Sequence, residues 1–125
     1  NFYVTYWNIC KLVLLVYLRK VDIGGEIIKQ DERYVVKDNT TLNNLTVSST
    51  RLQPRKATSG HSHAGQEEVY YFIEGTGKME LGEEMIKVEP GDVILIEDGV
   101  YHRVHAGMYE ELYFVCVFDK TRKHT

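Results

Sequence analysis

Gly60-His-Ser-His-Ala-Gly-Gln-Glu-Glu-Val-Tyr-Tyr-Phe-Ile-Glu-Gly-Thr-Gly77 sets two histidines, a glutamate and an apolar run between glycines. His61 and His63 stand two apart, so on an extended strand both imidazoles project from one face. Glu68 comes five residues after His63, and odd parity would send it to the opposite face of an uninterrupted strand. A turn through Ala64-Gly-Gln66 removes that conflict and opens a second strand at Glu68, with Tyr70 and Phe72 beside it. Val69, Tyr71 and Ile73 make the other face apolar as well, which predicts a central strand covered on both sides.

A second block, Pro90-Gly-Asp-Val-Ile-Leu-Ile-Glu-Asp-Gly-Val-Tyr-His102, supplies a third histidine. Asp98-Gly99 reads as a hairpin turn, because both residues tolerate positive φ, and the hairpin would return His102 toward the first pair. Three neutral imidazoles and a carboxylate, from His61, His63, His102 and Glu68, make a mixed nitrogen and oxygen donor set. Such a set suits one divalent transition metal, Fe, Mn, Ni, Co, Cu or Zn, and not Ca or Mg. Four protein ligands on a six-coordinate ion leave two positions for water, substrate or dioxygen. A His-x-His pair taken alone reads more often as solvated loop residues than as metal ligands.

Around these blocks the chain alternates short apolar runs with turn residues. Expected strands cover 26–30, 33–37, 45–52, 60–63, 68–74, 77–81, 84–88, 93–97, 102–106 and 111–118. Gly, Asp and Asn clusters separate them, and no helical period competes after residue 20. Strands this short and this evenly spaced predict an all-β sandwich or barrel.

With 125 residues and 43% hydrophobic content, the chain is sized for one core, expected over 21–125. A net charge of -3 gives no electrostatic reason for nucleic acid to bind. No helix-turn-helix pattern accompanies the strands, so a small-molecule partner is expected. Cys10 and Cys116 form neither a close pair nor a disulfide framework, which fits a reducing, cytoplasmic setting, and Cys116 reads as a small buried hydrophobe. Residues 1–20 are the odd stretch. Asn8 and Lys11 interrupt the apolar run, which falls short of the roughly 20 residues of a spanning helix. Arg19 and Lys20 follow the run where a secretory signal would carry small residues. The segment is expected to pack on the barrel or on a second subunit, as a short helix or a strand.

The two blocks resemble the signature motifs of the cupin superfamily, in its small single-domain, metal-binding form, over residues 54–107. His61, His63, Glu68 and Gly75 stand at the intervals of the first motif, and its glutamate precedes the closing glycine by seven residues, which selects Glu68 over Glu67. Gly91, Gly99 and His102 occupy positions of the second motif. Arg55, Glu97 and Ala106 depart from the usual residues, and none of the three is a ligand position. The resemblance implies a conical antiparallel β-barrel, the double-stranded β-helix of jelly-roll type. It also implies a homodimer, often with exchanged amino-terminal strands.

Further residues are weighed on chemistry alone. Glu67, Glu97 and Tyr70 are candidates for proton transfer beside the metal. Tyr70, Phe72 and Tyr101 could wall a pocket, and Arg51 could recognise a substrate anion. Ordinary core packing for the aromatics and solvation for the charges are the competing readings. The function expected is that of a metal-dependent enzyme on a small polar substrate, with isomerisation or epimerisation of a sugar or sugar phosphate favoured. An Fe- or Cu-dependent dioxygenase and a non-catalytic module that binds a small ligand or metal are the alternatives.

Overall fold

The computed structural model describes residues 22–121, within which the chain is built of antiparallel strands and no helix. The strands are β1 (Glu26–Gln30), β2 (Tyr34–Asn39), β3 (Leu45–Leu52), β4 (Glu68–Glu74), β5 (Gly77–Leu81), β6 (Glu84–Val88), β7 (Val93–Ile96), β8 (His102–Ala106) and β9 (Leu112–Asp119). They form a six-stranded sheet of order β1-β2-β3-β9-β4-β7 and a three-stranded sheet of order β6-β5-β8. This is the all-β, two-sheet architecture expected of a double-stranded β-helix. No helix among the described residues is long and apolar enough to cross a membrane. The expectation of a packed helix or exchanged strand over residues 1–20 lies outside the described residues.

Alternation sorts the strands into inner and outer faces. In β4, Glu68, Tyr70 and Phe72 are buried while Val69 and Tyr71 are exposed. Tyr70 and Phe72 join Tyr34, Leu52, Met79, Val88, Ile96, Val104, Leu112, Phe114, Cys116 and Phe118 in one core. Phe72, Phe114, Leu52, Met79 and Leu112 are fully buried, each contributing on the order of 1.5–3 kcal/mol by leaving water. Cys116 is buried with them, as expected of a small hydrophobe.

Three local expectations are corrected. Residues 60–63 are not a strand: His61 makes an isolated bridge to His102, and its neighbours pair with nothing regular. Gly60, Ser62 and Ala64 offer no apolar face to bury, and a Cβ at Gly60 would collide with the Tyr101 phenol, so a ladder has little to propagate on. The Asp98-Gly99 turn is not a hairpin either. Its flanking strands lie in different sheets, β7 paired with β4 and β8 with β5, because the residues between Ile96 and His102 are enough to cross between sheets. Among the described residues nothing covers the outer face of β4, with Val69 39% and Tyr71 45% exposed, so within them the strand is central in its sheet but covered on one side only.

Candidate metal centre

Four elements meet where the two sheets face each other. Glu68 begins β4 on the inner face, paired with Ile96 on one side and Phe118 on the other. His102 begins β8, and its Nδ1 lies 3.0 Å from the Val100 carbonyl oxygen. With that nitrogen donating, the ring is held as the tautomer whose Nε2 offers a lone pair to the interior. His63 comes from the loop before β4, where His63 O accepts from Gly99 N at 3.1 Å and Gly65 N donates to Asp98 Oδ1 at 2.6 Å. Gly65 has φ 84°, which lets the chain reverse between His63 and Glu68, the reversal that parity demanded. A double bridge completes the lacing: His61 N donates to His102 O at 3.0 Å and His102 N to His61 O at 2.8 Å.

The result brings His63, Glu68 and His102 together, one ligand atom from each lying within 4.8 Å of the others. His63 Nε2 is 3.8 Å from Glu68 Oε1, and His102 Nε2 is 3.6 Å from Glu68 Oε2. Both carboxylate oxygens therefore face an imidazole nitrogen inside the protein, with Glu68 and His102 each only 3% exposed. Two imidazoles and a carboxylate at these separations fit a divalent transition ion in donor type and spacing, and a group of this kind could hold one. His61 stands at the rim, exposed, its ring stacked on His63 with centroids 5.6 Å apart, and it is not part of the converging trio.

An aromatic chain props the centre from below. Tyr70 presents its ring edge-on to His102 at 5.6 Å between centroids and stacks on Phe114 at 5.4 Å, which in turn contacts Phe72 at 5.3 Å. Rings in such contacts restrict one another's rotamers, so the core helps to orient His102.

A cavity of about 290 Å³ opens beside the trio. His61, His63, Glu68 and Tyr70 line it, together with Lys29, Tyr34, Asp38, Ser48, Thr50 and Cys116. Of the expected pocket residues, Tyr70 lines this cavity and the others stand elsewhere. Phe72 is wholly buried in the core. Tyr101 lies against the backbone of Gly60. Arg51 sits over the Tyr113 ring at 4.3 Å and pairs with Glu111 at 3.2 Å and Glu74 at 3.5 Å. Glu67 and Glu97 are exposed and do not line the cavity.

Sequence reasoning did not find Lys29, Tyr34, Ser48 or Thr50. One signal was available: Val47-Ser-Ser-Thr50 places hydroxyls at inward positions of a strand where aliphatic residues would be usual. At the cavity mouth, Arg33 hydrogen bonds Ser59 Oγ at 3.2 Å and Tyr34 Oη at 3.0 Å. The same guanidinium beside Asp31 holds that carboxyl below the usual carboxylate range.

Comparison with known proteins agrees with this architecture. A cupin-2 domain protein from Rhodospirillum rubrum superposes with a TM-score of 0.73 at 17% identity, covering 85% of this chain and 76% of that one. The polyketide cyclase RemF from Streptomyces resistomycificus gives 0.70 at 21% identity, over 86% and 82% of the two chains. An uncharacterized protein of Methanocaldococcus jannaschii is 41% identical over 44 residues, 35% of each chain, so the likeness spans about a third of that relative. The family profile described as Cupin domain matches residues 48–118, more than half of the chain and all of the candidate centre. By that match the chain belongs to the cupin domain family.

Proposed function

We propose that the chain is a metal-dependent enzyme acting on a small polar substrate, with His63, Glu68 and His102 as ligands and His61 as the fourth. The observation that carries this reading is the convergence of His63, Glu68 and His102, the last two buried and the first half-buried, beside a hydroxyl-walled cavity of about 290 Å³. Cupin relatives support a range of chemistries, polyketide cyclase among them. A bound divalent transition ion would supply Lewis acidity toward a carbonyl or hydroxyl oxygen of the substrate.

The chain's own residues do the rest. Ser48 and Thr50 offer hydroxyls to a polyol, and Phe114 and Phe118 add an apolar part of the wall. Of the three candidates for moving a proton, Tyr70 is the one that lines the cavity, stacked in place by Phe114. This favours isomerisation or epimerisation of a sugar or sugar phosphate, in which a proton leaves and returns at carbon. The same donor set supports an oxygen-dependent reaction, and one assay separates the two. Solvent deuterium entering an aldose or ketose phosphate under anaerobic conditions is expected; substrate-dependent oxygen uptake with no anaerobic turnover would replace isomerase by dioxygenase.

A homodimer belongs to the same proposal. Val69 and Tyr71 of β4 pair across strands with Leu95 and Val93 of β7, and all are exposed, Leu95 at 68%. This apolar outer face suits a second copy of the chain.

A further inference from the structure

The edge strand β1 carries an irregularity that changes what faces the cavity. Ile27 pairs with Lys37 but Lys29 pairs with Val36, so Ile28 is one residue more than β2 can match. Even-numbered residues of β2 face inward: Tyr34, Val36 and Asp38 all line the cavity, as do Ser48 and Thr50, the partners of Asp38 and Val36 on β3. In regular pairing Lys29 would stand opposite Val35 and share its outer face. The bulge moves it opposite Val36, and a shift of one residue exchanges faces. Lys29 and Ile28 both line the cavity in consequence.

Among the described residues that line the cavity, Lys29 carries the one ammonium. Its Nζ lies 5.5 Å from the centroid of the Tyr34 ring. The other cation at the mouth, Arg33, is held by Asp31 at 2.8 Å. The remaining charges of the wall are the carboxylates of Glu68 and Asp38. With a divalent ion in place the cavity is left with one net positive charge, which a single anionic group on the substrate would match.

We propose that Lys29, solvent-exposed on the edge strand but brought by the β1 bulge to the side that lines the cavity, binds the oxyanion of the substrate, a carboxylate or phosphate, and so selects anionic over neutral molecules. The proposal rests on the metal-site reading above. Bulges re-aim side chains beside functional sites, and an ammonium gives a point charge suited to either oxyanion.

The test is titration calorimetry of the protein with its metal, using glycolate, inorganic phosphate and the neutral glycolamide as probes. Lys29→Met is expected to weaken the preferred anion about tenfold, leave glycolamide unchanged and keep the full metal content. Deleting Ile28 restores regular pairing and turns the lysine outward, so it should weaken that anion to the same extent. Tighter glycolate than phosphate identifies a carboxylate substrate, and the reverse a phosphate ester. Equal anion affinity in Lys29→Met and the unaltered protein, at equal metal content, overturns the role of Lys29 and leaves the metal reading standing. An unaltered protein that binds no metal overturns the metal reading and this proposal with it.

Discussion

The two faces of β4 differ in every property that bears on function, though their residues alternate along one strand. Inward, Glu68, Tyr70 and Phe72 are 3%, 9% and 0% exposed and run from candidate metal ligand to cavity wall to sealed core. Outward, Val69 and Tyr71 are 39% and 45% exposed and join Leu95 and Val93 in an apolar surface. A strand with two apolar faces reads as doubly covered. Among the described residues one cover is the chain's own core, and the other face is open. Apolar alternation therefore reports that a face seeks burial, and not what buries it.

The sharpest contrast is in stability. Phe72→Ala should cost about 3–5 kcal/mol and lower the melting temperature strongly, because the packed aromatic core has no room to collapse. Next comes the metal: chelation should lower stability by about 2.7 kcal/mol where the ion had stood a hundredfold above its dissociation constant. Glu68→Ala should abolish that chelator-induced shift, read by thermal denaturation with and without chelator. Outward changes should act differently. Tyr71→Glu with Leu95→Glu should alter monomer stability by no more than about 0.5 kcal/mol while converting dimer to monomer in sedimentation. A monomeric unaltered protein would break the comparison on its outer side.

The smallest effect lies at the mouth and depends on pH. Asp31 has its folded pKa lowered by Arg33, so its contribution is present above the unfolded value of about 3.9 and is lost as pH falls through the folded value. Asp31→Asn should therefore be slightly less stable than the unaltered chain at neutral pH. The two should converge under acid, as followed by urea melts across pH.

Much of this was legible in the sequence because period-two patterning is local. The turn residues at Ala64-Gly-Gln66 and Gly75-Thr-Gly77 gave β4 its bounds, and the parity of His63 and Glu68 required the reversal at Ala64-Gly65. What escaped depends on partners distant in sequence. Whether Asp98-Gly99 closes a hairpin or crosses between sheets is decided by which strands β7 and β8 find. The pairing of Ser48 and Thr50 with inward residues of β2 depends on register, and the bulge at Ile28 exists only as a mismatch between two strands. Pocket residues chosen by type alone, Arg51, Phe72 and Tyr101, were residues with other partners.

Elemental analysis tests the central claim most directly, with the unaltered chain compared against Glu68→Ala and His102→Ala, each checked for folding by circular dichroism. One equivalent of Fe, Mn, Ni, Co, Cu or Zn per unaltered chain, and almost none in either folded variant, is the expected result. A full equivalent retained in both variants would contradict a centre built on His63, Glu68 and His102.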